Sequence, residues 1–515
     1  MTDGLTDRDR AGIRSVLAEN PRVRRAVLFG SRALGTYRGA SDVDLALEGR
    51  DLGLQDLLSL KAQIDTLSLP VEVDLVIRAT IGNAELKKHI KTYGQEWYRQ
   101  TQQGRATAGD WQDITLGDFV TLQRGHDLTE PERRLGRVPV MGSAGQNGFH
   151  DTVLAKGPGI VIGRSGASFG QVHFSKVDFW PHNTALYVTD FKGNDPLFAF
   201  YFLKSLDFDR FNSGSAQPSL NRNFIYPIPI RVPRPDEQKA IAAVLGALDD
   251  KIELNRRMNA TLEAMARALF QSWFVDFDPV RAKLDGRKPA RLDKATAELF
   301  PNSFQDSPLG HIPKGWETGS ILRQADLLSG GTPKTDVPAY WCGDVPWASA
   351  KDVSQCGEAF LISTERTITK KGVDESSTKM MPAKTTVVVA RGATTGRLTM
   401  FGHAMAMNQT CYGLRSKIGA PFALYCNVRH FIERLVQGGH GSIFDTITTS
   451  TFEATDVLLA PKEVLLSFDT QVTPLFRQVH ANLRQSRTLA TLRDTLLPKL
   501  LSGELSVAAS TRQPG

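Results

Sequence analysis

The residues best suited to chemistry lie near the start of the sequence, in the stretch VLFGSRALGTYRGASDVDLAL from Val27 to Leu47. An apolar segment reaches Gly30 and Ser31, and after a polar turn Asp42 and Asp44 follow two residues apart. Since side chains alternate along a strand, both carboxylates are expected on one face, where they can bind divalent cations that bridge a nucleotide's phosphates. Gly30 permits close backbone approach, and Ser31 offers an N–H and a hydroxyl to a phosphate.

A third carboxylate follows about thirty residues later. The segment LPVEVDLVI reads as a further strand and carries Asp74. A third carboxylate can complete the metal site and activate an acceptor hydroxyl. The sequence therefore predicts three strands that bring Gly30, Ser31, Asp42, Asp44 and Asp74 together.

This pattern resembles the nucleotidyltransferase superfamily, in particular its small stand-alone domains of minimal nucleotidyltransferase type, over residues 1–103. The resemblance implies that Gly30 and Ser31 bind phosphate, and that Asp42, Asp44 and Asp74 bind Mg²⁺ and are catalytic, with a nucleoside triphosphate as substrate. The alternative is a degenerate domain that is kept for protein–protein contact.

The remainder of the chain contains an internal repeat. GIVIGRSGASFG, from Gly159, resembles VVVARGATTGR, and each apolar run is followed by an arginine, Arg164 or Arg391. Two glycines follow each arginine, and they repeat at an offset of 226 residues: Gly166 with Gly392, and Gly170 with Gly396. Two prolines that begin long helical tracts, Pro235 and Pro461, repeat at the same offset. An asparagine repeats at an offset of 225, as Asn183 and Asn408. Each repeat is predicted to contain a β-rich part followed by a long helix.

The two helical tracts carry apolar ladders with alternating steps of four and three residues, which is typical of a coiled coil. The first ladder is Ile241, Leu245, Leu248, Ile252, Asn255, Asn259, Leu262, Ala266, Leu269 and Trp273. The second is Phe468, Val472, Leu475, Val479, Asn482, Ser486, Leu489, Arg493, Leu496 and Leu500. We expect an antiparallel pair about 35 residues and roughly 50 Å long; the alternative is that each helix packs on its own domain.

Residues 111–507 resemble the specificity subunit of a type I restriction–modification enzyme. The segments that carry the resemblance are WQDITLGDFVTLQRG, RPDEQKAIAAVLGALDDKIELNRRMN, LGHIPKGWE, LSGGTPKT and LRDTLLPKLLSGEL. The resemblance implies two target-recognition domains on a double-stranded bipartite DNA target, with the helix pair as a ruler. It also implies two modification (methyltransferase) subunits and restriction (motor–nuclease) subunits as partners that perform adenine methylation, ATP hydrolysis and cleavage, and no cofactor for recognition itself.

DNA-contacting residues are harder to predict. Arg164 and Arg391, beside the glycine turns, could contact backbone or bases, or be exposed structural arginines. GRSGASFG matches no nucleotide-binding glycine motif, so a strand-to-strand turn is favoured over a phosphate cradle. The polar loops FNSGSAQPSLNRNF and QGGHGSIFDTITT could lie against DNA.

The composition limits the class of protein. The net charge of +7 is a mild basic excess compatible with a nucleic-acid partner or with an ordinary solvated surface. No run approaches the about 18 apolar residues of a membrane span, and the four cysteines have no metal-binding spacing. We expect a cytoplasmic protein with reduced thiols and no membrane partner.

Together these patterns predict an α+β multidomain protein. The expected parts are 1–103 (α/β nucleotidyltransferase-like domain), 104–110 (linker), 111–234 (β-rich target-recognition domain 1), 235–275 (central conserved helix), 276–313 (connector), 314–460 (β-rich target-recognition domain 2), 461–507 (C-terminal conserved helix) and 508–515 (tail). Two functions remain open. One is a DNA specificity subunit that is not itself catalytic, and the other is an antitoxin-like nucleotidyltransferase that uses the C-terminal part for targeting.

Overall fold

A computed structural model describes residues 5–20, 22–37, 41–49, 52–65, 67, 69–81, 83–99, 111–212, 218–438 and 446–507. The chain divides into two compact units, one formed by Met1–Asn194, Asp207–Gln238 and Leu500–Gly515, the other by Asp195–Leu206 and Lys239–Lys499. The predicted linker 104–110 and tail 508–515 lie outside the described residues.

The N-terminal part of the first unit is a four-stranded sheet with helices on both faces. Its elements are α1 (Asp7–Glu19), β1 (Val23–Phe29), α2 (Gly30–Leu34), β2 (Val43–Gly49), α3 (Leu54–Asp65), β3 (Val73–Ile77), α4 (Ala84–Tyr93) and β4 (Gln95–Arg99). The strand order is β3-β2-β1-β4, with β2 and β3 parallel and the other pairs antiparallel. The central strands β1 and β2 carry buried apolar runs at residues 26–29 and 45–47, because both faces of the sheet are covered there.

Two apolar clusters hold these layers together. One face of the sheet packs against Ile13 and Leu17 of α1 and Leu60 and Ile64 of α3. The other face packs against Ile90 of α4. The amino ends of β2 and β3 and the carboxyl end of β1 are thereby held next to one another.

Residues 111–233 form the β-rich region of the first repeat. The elements are β5 (Trp111–Thr115), α5 (Leu116–Phe119), β6 (Thr121–Arg124), β7 (Val138–Gly142), β8 (Gly145–His150), β9 (Gly159–Gly163), β10 (Val172–Ser175), β11 (Trp180–Pro181), β12 (Ala185–Asp190), α6 (Pro196–Ser205), α7 (Arg222–Ile225) and β13 (Pro229–Pro233). The main sheet has the order β10-β9-β12-β6, and a second sheet has the order β11-β7-β8.

Helices follow this region. They are α8 (Pro235–Phe274), α9 (Asp278–Leu284) and α10 (Lys294–Glu298). The connector predicted for 276–313 is folded, because Val280, Phe300 and Ile312 are buried in the same aromatic core as Phe274 of α8. Its proline and glycine content therefore marks helix ends and turns within a packed segment.

The second repeat and the last helix lie in the second unit. The elements are β14 (Phe304–Ser307), β15 (Gly310–Pro313), β16 (Glu317–Ser320), β17 (Ala325–Ser329), β18 (Trp341–Ala348), α11 (Ala350–Gln355), β19 (Phe360–Leu361), β20 (Arg366–Ile368), α12 (Lys370–Asp374), β21 (Thr386–Val389), β22 (Leu398–Phe401), β23 (Ala406–Met407), β24 (Cys411–Ser416), α13 (Pro421–Gly438), α14 (Thr449–Ala454), β25 (Asp456–Leu459) and α15 (Lys462–Leu501).

The two β-rich regions share one topology. The sheet β17-β24-β21-β22-β19 of the second repeats the order β6-β12-β9-β10 of the first, with β19 added at its edge. The smaller sheet β20-β18-β23 contains a parallel pair, β18 with β23, as β7 pairs in parallel with β11. This agreement confirms the internal repeat.

Within the second unit, α8 and α15 form an antiparallel pair, as the ladders predict. Phe270 of α8 lies against Phe468 of α15, with ring centroids 5.9 Å apart. Near the opposite end of the pair, Arg493 Nη1 donates to Asp249 Oδ1 at 2.6 Å. Between them Asn482 Nδ2 donates to Asn259 Oδ1 at 2.9 Å. All ladder positions are buried or half-buried, so the helices pair with each other.

Among the described residues, no helix is both long enough and apolar enough to cross a membrane. The four cysteines are free thiols, and burial raises the pKa of Cys411 and of Cys426 to about 12.

Candidate functional site

The N-terminal sheet brings Asp44 and Asp74 side by side. They are direct partners in the parallel pairing of β2 with β3. On its other side Asp44 is paired with Phe29, the last residue of β1 before Gly30. Asp42 lies just outside β2 and is exposed. The strands predicted for Asp44 and Asp74 are therefore present, whereas Asp42, which was expected to share a strand face with Asp44, precedes the strand.

Gly30 lies against Asp44 more closely than any other residue could. Its φ is +73°, and a Cβ added at Gly30 would lie 2.3 Å from Asp44 Oδ2. Only glycine meets both conditions without strain or displacement. Where a polar turn was predicted, the chain forms the short helix α2, which contains Ser31.

The sequence interpretation missed Arg32, which holds the candidate site together. This side chain is 3% exposed. Its guanidinium donates to the backbone oxygen of Ser41 at 2.6 and 2.9 Å and to that of Asp42 at 3.2 Å. Its Cζ lies 4.9 Å from the ring centroid of Tyr37. Arg32 therefore ties α2 to the backbone that leads into β2, and no residue pattern in the sequence signals this long-range role.

The charges of the site act on Asp44. Burial raises the pKa of the Asp44 carboxyl, the charges of Asp74 and Asp42 raise it further, and the guanidinium of Arg32 opposes them. Carboxylates crowded in this way form a hard oxygen donor set, and a divalent cation would relieve their repulsion. The donor chemistry therefore fits Mg²⁺. Among the described residues, however, no three acidic, histidine or cysteine side chains stand close enough to form a ready-made metal site.

In the β-rich regions the glycine turns are strand-to-strand turns, as favoured from the sequence. In the first, the N–H of Gly170 donates to Gly163 O at 2.8 Å and that of Gly163 donates to Gln171 O at 2.8 Å. In the second, the N–H of Gly396 donates to Val389 O at 2.9 Å and that of Val389 to Arg397 O at 2.8 Å. Each residue in the first pair of bonds corresponds to the residue 226 positions later in the second pair.

This register corrects the pairing of the two arginines. The N–H of Arg164 donates to Thr184 O at 2.9 Å, and the bond at the same place in the second repeat runs from Ala390 to Thr410 O at 2.8 Å. Arg391 therefore occupies the position of Ser165, not that of Arg164. The two arginines lie in the same turn of the two regions, one residue apart.

The side chains of these arginines also differ in setting. Arg164 is half-buried, and its Nη1 donates to Asn183 O at 3.3 Å. Arg391 is exposed. The pairing of Asn183 with Asn408 needs the same one-residue correction. Thr410 Oγ1 donates to Asn408 Oδ1 at 2.8 Å, and in the first region Thr184 Oγ1 lies 3.0 Å from His182 Nδ1. Asn408 therefore occupies the position of His182.

The equivalent of Asn183 is therefore Gln409, which the sequence interpretation missed. The offset of 226 found for the glycines would have identified it. The polar loops predicted to lie against DNA fall partly outside the described residues, at 213–217 and 439–445.

Comparison with known proteins adds two family matches. The model of the type I restriction modification DNA specificity domain matches residues 108–264 and 313–464, more than half of the chain. The model of the polymerase beta nucleotidyltransferase domain matches residues 12–103.

Individual relatives agree with the first match. The specificity subunit of the type I restriction enzyme HindI from Haemophilus influenzae is 27% identical over 337 residues, covering 56% of this chain and 71% of that protein. The MjaIX specificity subunit from Methanocaldococcus jannaschii is 27% identical over 311 residues, covering 58% of this chain and 65% of that protein.

A solved structure supports the architecture. The S subunit of a type I restriction–modification system from M. genitalium matches with a TM-score of 0.50 over 78% of this chain and 98% of that chain. The two sequences are 14% identical, so the likeness concerns the fold.

Proposed function

Because the chain belongs to the family of type I restriction–modification DNA specificity proteins, we propose that it recognises a bipartite DNA target for such a complex. The observation that carries the proposal is the recurrence of one strand order in both β-rich regions, with the same turn hydrogen bonds at an offset of 226 residues. Two like regions on one chain suit two short half-sites, each read by one region.

The proposed recognition regions are residues 111–234 and 314–460, and the helices at 235–275 and 461–507 would set the gap between the half-sites. The antiparallel pairing of α8 with α15 supports this role, since it fixes the register of one helix against the other. Arg164 and Arg391 would contact DNA beside the glycine turns.

The partners follow from the family. Two modification subunits would methylate adenine, and restriction subunits would supply ATP hydrolysis and cleavage, so recognition itself needs no cofactor. We expect the complex to act in the cytoplasm, where the DNA is. No membrane partner is proposed.

Selection from a random pool of DNA duplexes tests this function. The complex purified from the host is incubated with the pool, and the bound duplexes are sequenced. The proposal predicts enrichment of one motif with two specified halves and an unspecified gap of constant length. Recovery of unselected sequences at low and moderate salt would contradict it.

A second function is supported by the N-terminal domain. We propose that it binds a nucleoside triphosphate with Mg²⁺ and transfers the nucleotidyl group to an acceptor hydroxyl, whose oxygen bonds the α-phosphorus as pyrophosphate leaves. Asp42, Asp44 and Asp74 would hold Mg²⁺, which when bound neutralises charge on the phosphates. Gly30 and Ser31 would contact the phosphates, and Asp74 would accept the proton of an acceptor hydroxyl. The pairing of Asp44 with Asp74 beside Gly30 supports this assignment.

Labelled ATP, Mg²⁺ and purified protein, with and without host extract, test this second function. Transfer of label that is lost in the Asp42→Ala/Asp44→Ala variant is the expected result. If no label is transferred and no Mg²⁺-dependent nucleotide binding is measured, the domain serves as a scaffold.

A further inference from the structure

The corrected register reveals a repeated pair of polar side chains. Asn183 Nδ2 donates to Asp127 Oδ1 in the first region, and Thr332 Oγ1 donates to Gln409 Oε1 in the second. The backbone N–H of His126 donates to Pro181 O, and the N–H of Gly331 donates to Met407 O, the residue 226 positions after Pro181. Asp127 and Thr332 are therefore equivalent to each other, as are Asn183 and Gln409.

Both amides lie at an accessible edge of their region. Gln409 is exposed, Asn183 is half-exposed, and the side chain of Asp127 is 72% exposed. The adjoining glycine turn is open, because a Cβ added at Gly166 or at Gly392 would meet no atom within 4 Å. An amide in this place contributes little to the core, so packing does not explain its recurrence.

The hydrogen bonds leave a matching donor and acceptor on each amide. Asp127 takes one N–H of Asn183, which leaves the second N–H and Oδ1 without a partner among the described residues. The hydroxyl of Thr332 donates to one lone pair of Gln409 Oε1. The other lone pair and the two N–H groups of Gln409 have no partner among the described residues. A free amide N–H beside a free amide oxygen is the arrangement that pairs with N7 and the N6 amino group of adenine in the major groove.

The two partners also restrain the amides. Asp127 is an acceptor only, so it fixes which end of Asn183 faces the protein. The hydroxyl of Thr332 binds the opposite end of Gln409. Asn183 is thus held in one orientation before it meets a base, which lowers the entropy cost of a specific contact. The hydroxyl of Thr332 can donate or accept, so it restrains Gln409 without fixing which end of the amide faces it.

We propose that Asn183 and Gln409 are specificity-determining residues that each read one adenine in the half-site of their own region. The inference rests on the proposed DNA-recognition function and deepens it. The positioning residues Asp127 and Thr332 would act through the amides.

Competition binding tests the inference. The wild-type complex is first titrated with its motif and with duplexes that change one base pair at a time. Asn183→Ala is expected to lose roughly tenfold to hundredfold discrimination at one A·T pair of one half-site, and Gln409→Ala at one A·T pair of the other. Discrimination at all other positions should be retained. Unchanged discrimination in both variants would overturn the inference and leave the recognition function intact, whereas absence of any preference in the wild type would overturn the function itself.

Two further sets of variants keep the test decisive. Gln112→Ala and Gln355→Ala remove exposed amides elsewhere in the same two regions, outside the loops proposed to lie against DNA, and should leave discrimination unchanged. Asp127→Ala keeps Asn183 but frees its orientation, so it should weaken discrimination at the same base pair as Asn183→Ala. If Asp127→Ala affects a different base pair, the positioning role is wrong. If Asn183→Ala binds no DNA, Asn183→Ser supplies the test, because its hydroxyl can still donate to Asp127 but cannot bind both N7 and the N6 amino group, so preference for adenine should be lost at the same pair.

Discussion

Asn482 of α15 donates to Asn259 of α8 in the middle of the helix pair, with 2.9 Å between Nδ2 and Oδ1. Both side chains are buried. One turn away, Asn255 Nδ2 donates to Gln485 Oε1 at 2.9 Å, while Asn255 Oδ1 is buried with no partner among the described residues. Buried amides in an apolar seam cost stability but specify one register.

The first prediction concerns this seam. Asn482→Ala should destabilise the protein by about 1–3 kcal/mol, because Asn259 is left buried without its donor. Replacing Asn259 and Asn482 together by leucine should restore or exceed wild-type stability while weakening the choice of register. Denaturant unfolding measures the stability. The exposed Thr488→Ala is the control, and a double leucine variant less stable than the single variant would contradict this explanation.

The second prediction concerns Asp249. It accepts from Tyr201 Oη and from Arg493 Nη1, each at 2.6 Å, and so links α6 and α15 to α8. Asp249→Ala should cost about 2 kcal/mol, since two hydrogen bonds to a half-buried carboxylate are lost. Glu253→Ala, which removes pairs with Arg256 and Arg257 on the same helix, should change stability by less than about 1 kcal/mol. Equal losses in the two variants would count against the link.

The third prediction separates backbone strain at Gly30 from displacement of the Asp44 side chain. Gly30 and Gly35 both have φ of +73°, but a Cβ meets Asp44 only at Gly30 and open space at Gly35. Each alanine variant should lose about 1–2 kcal/mol of stability. Only Gly30→Ala should also abolish Mg²⁺-dependent nucleotide binding, measured by calorimetry. If Gly35→Ala abolishes it equally, the contact with Asp44 is not the reason.

The fourth prediction is a pH dependence at Asp469. Its carboxylate accepts the N–H groups of Phe422 and Ala423 at 2.7 and 3.0 Å and so caps α13 from α15. Burial raises the pKa of Asp469. A carboxyl with a raised pKa favours the folded state fully below the unfolded pKa of about 3.9, and this contribution is lost as the pH rises through the folded pKa.

Two variants at Asp469 test that sign. Asp469→Ala should cost about 1–2 kcal/mol through loss of the cap, and Asp469→Asn should cost less because it keeps an acceptor oxygen. The stability of the wild type relative to Asp469→Asn should fall as the pH rises above about 4. Unfolding curves at several pH values measure it, and a constant difference would refute the burial explanation.

The fifth prediction concerns the turn arginines. If Arg391 neutralises a phosphate, Arg391→Ala should weaken binding of every duplex alike and reduce the slope of log K against log salt by about 1. Arg164→Ala should behave similarly. Arg134, which pairs with Asp151 on the first region, provides the control. A salt slope and a base preference that both remain unchanged in the Arg391 variant would exclude a DNA contact.

The sequence predicted what depends on periodicity and local pattern. The ladders from Ile241 to Trp273 and from Phe468 to Leu500 identified the antiparallel helix pair. The apolar segments around Asp44 and Asp74 placed each of these residues on a strand. These features can be predicted because the periods of strands and helices produce regular patterns of apolar residues within one segment.

Features that depend on contacts between distant segments were missed. Nothing near Arg32 shows that it binds the backbone of Ser41, and nothing near Asp469 shows that it caps α13. The one-residue error at Arg391 arose because residue identity was matched where backbone hydrogen bonds set the register. The structure of the connector was missed because its apolar residues are widely spaced and become a core only beside Phe274 and Trp316.

We propose above all that this chain selects a two-part DNA target for methylation. The decisive measurement is to sequence the methylated bases of the host genome with the gene for this protein intact and with it deleted. Adenine methylation should disappear at one gapped, bipartite motif on deletion and return when the gene is restored. Unchanged methylation, in a host that contains the modification subunits, would contradict it.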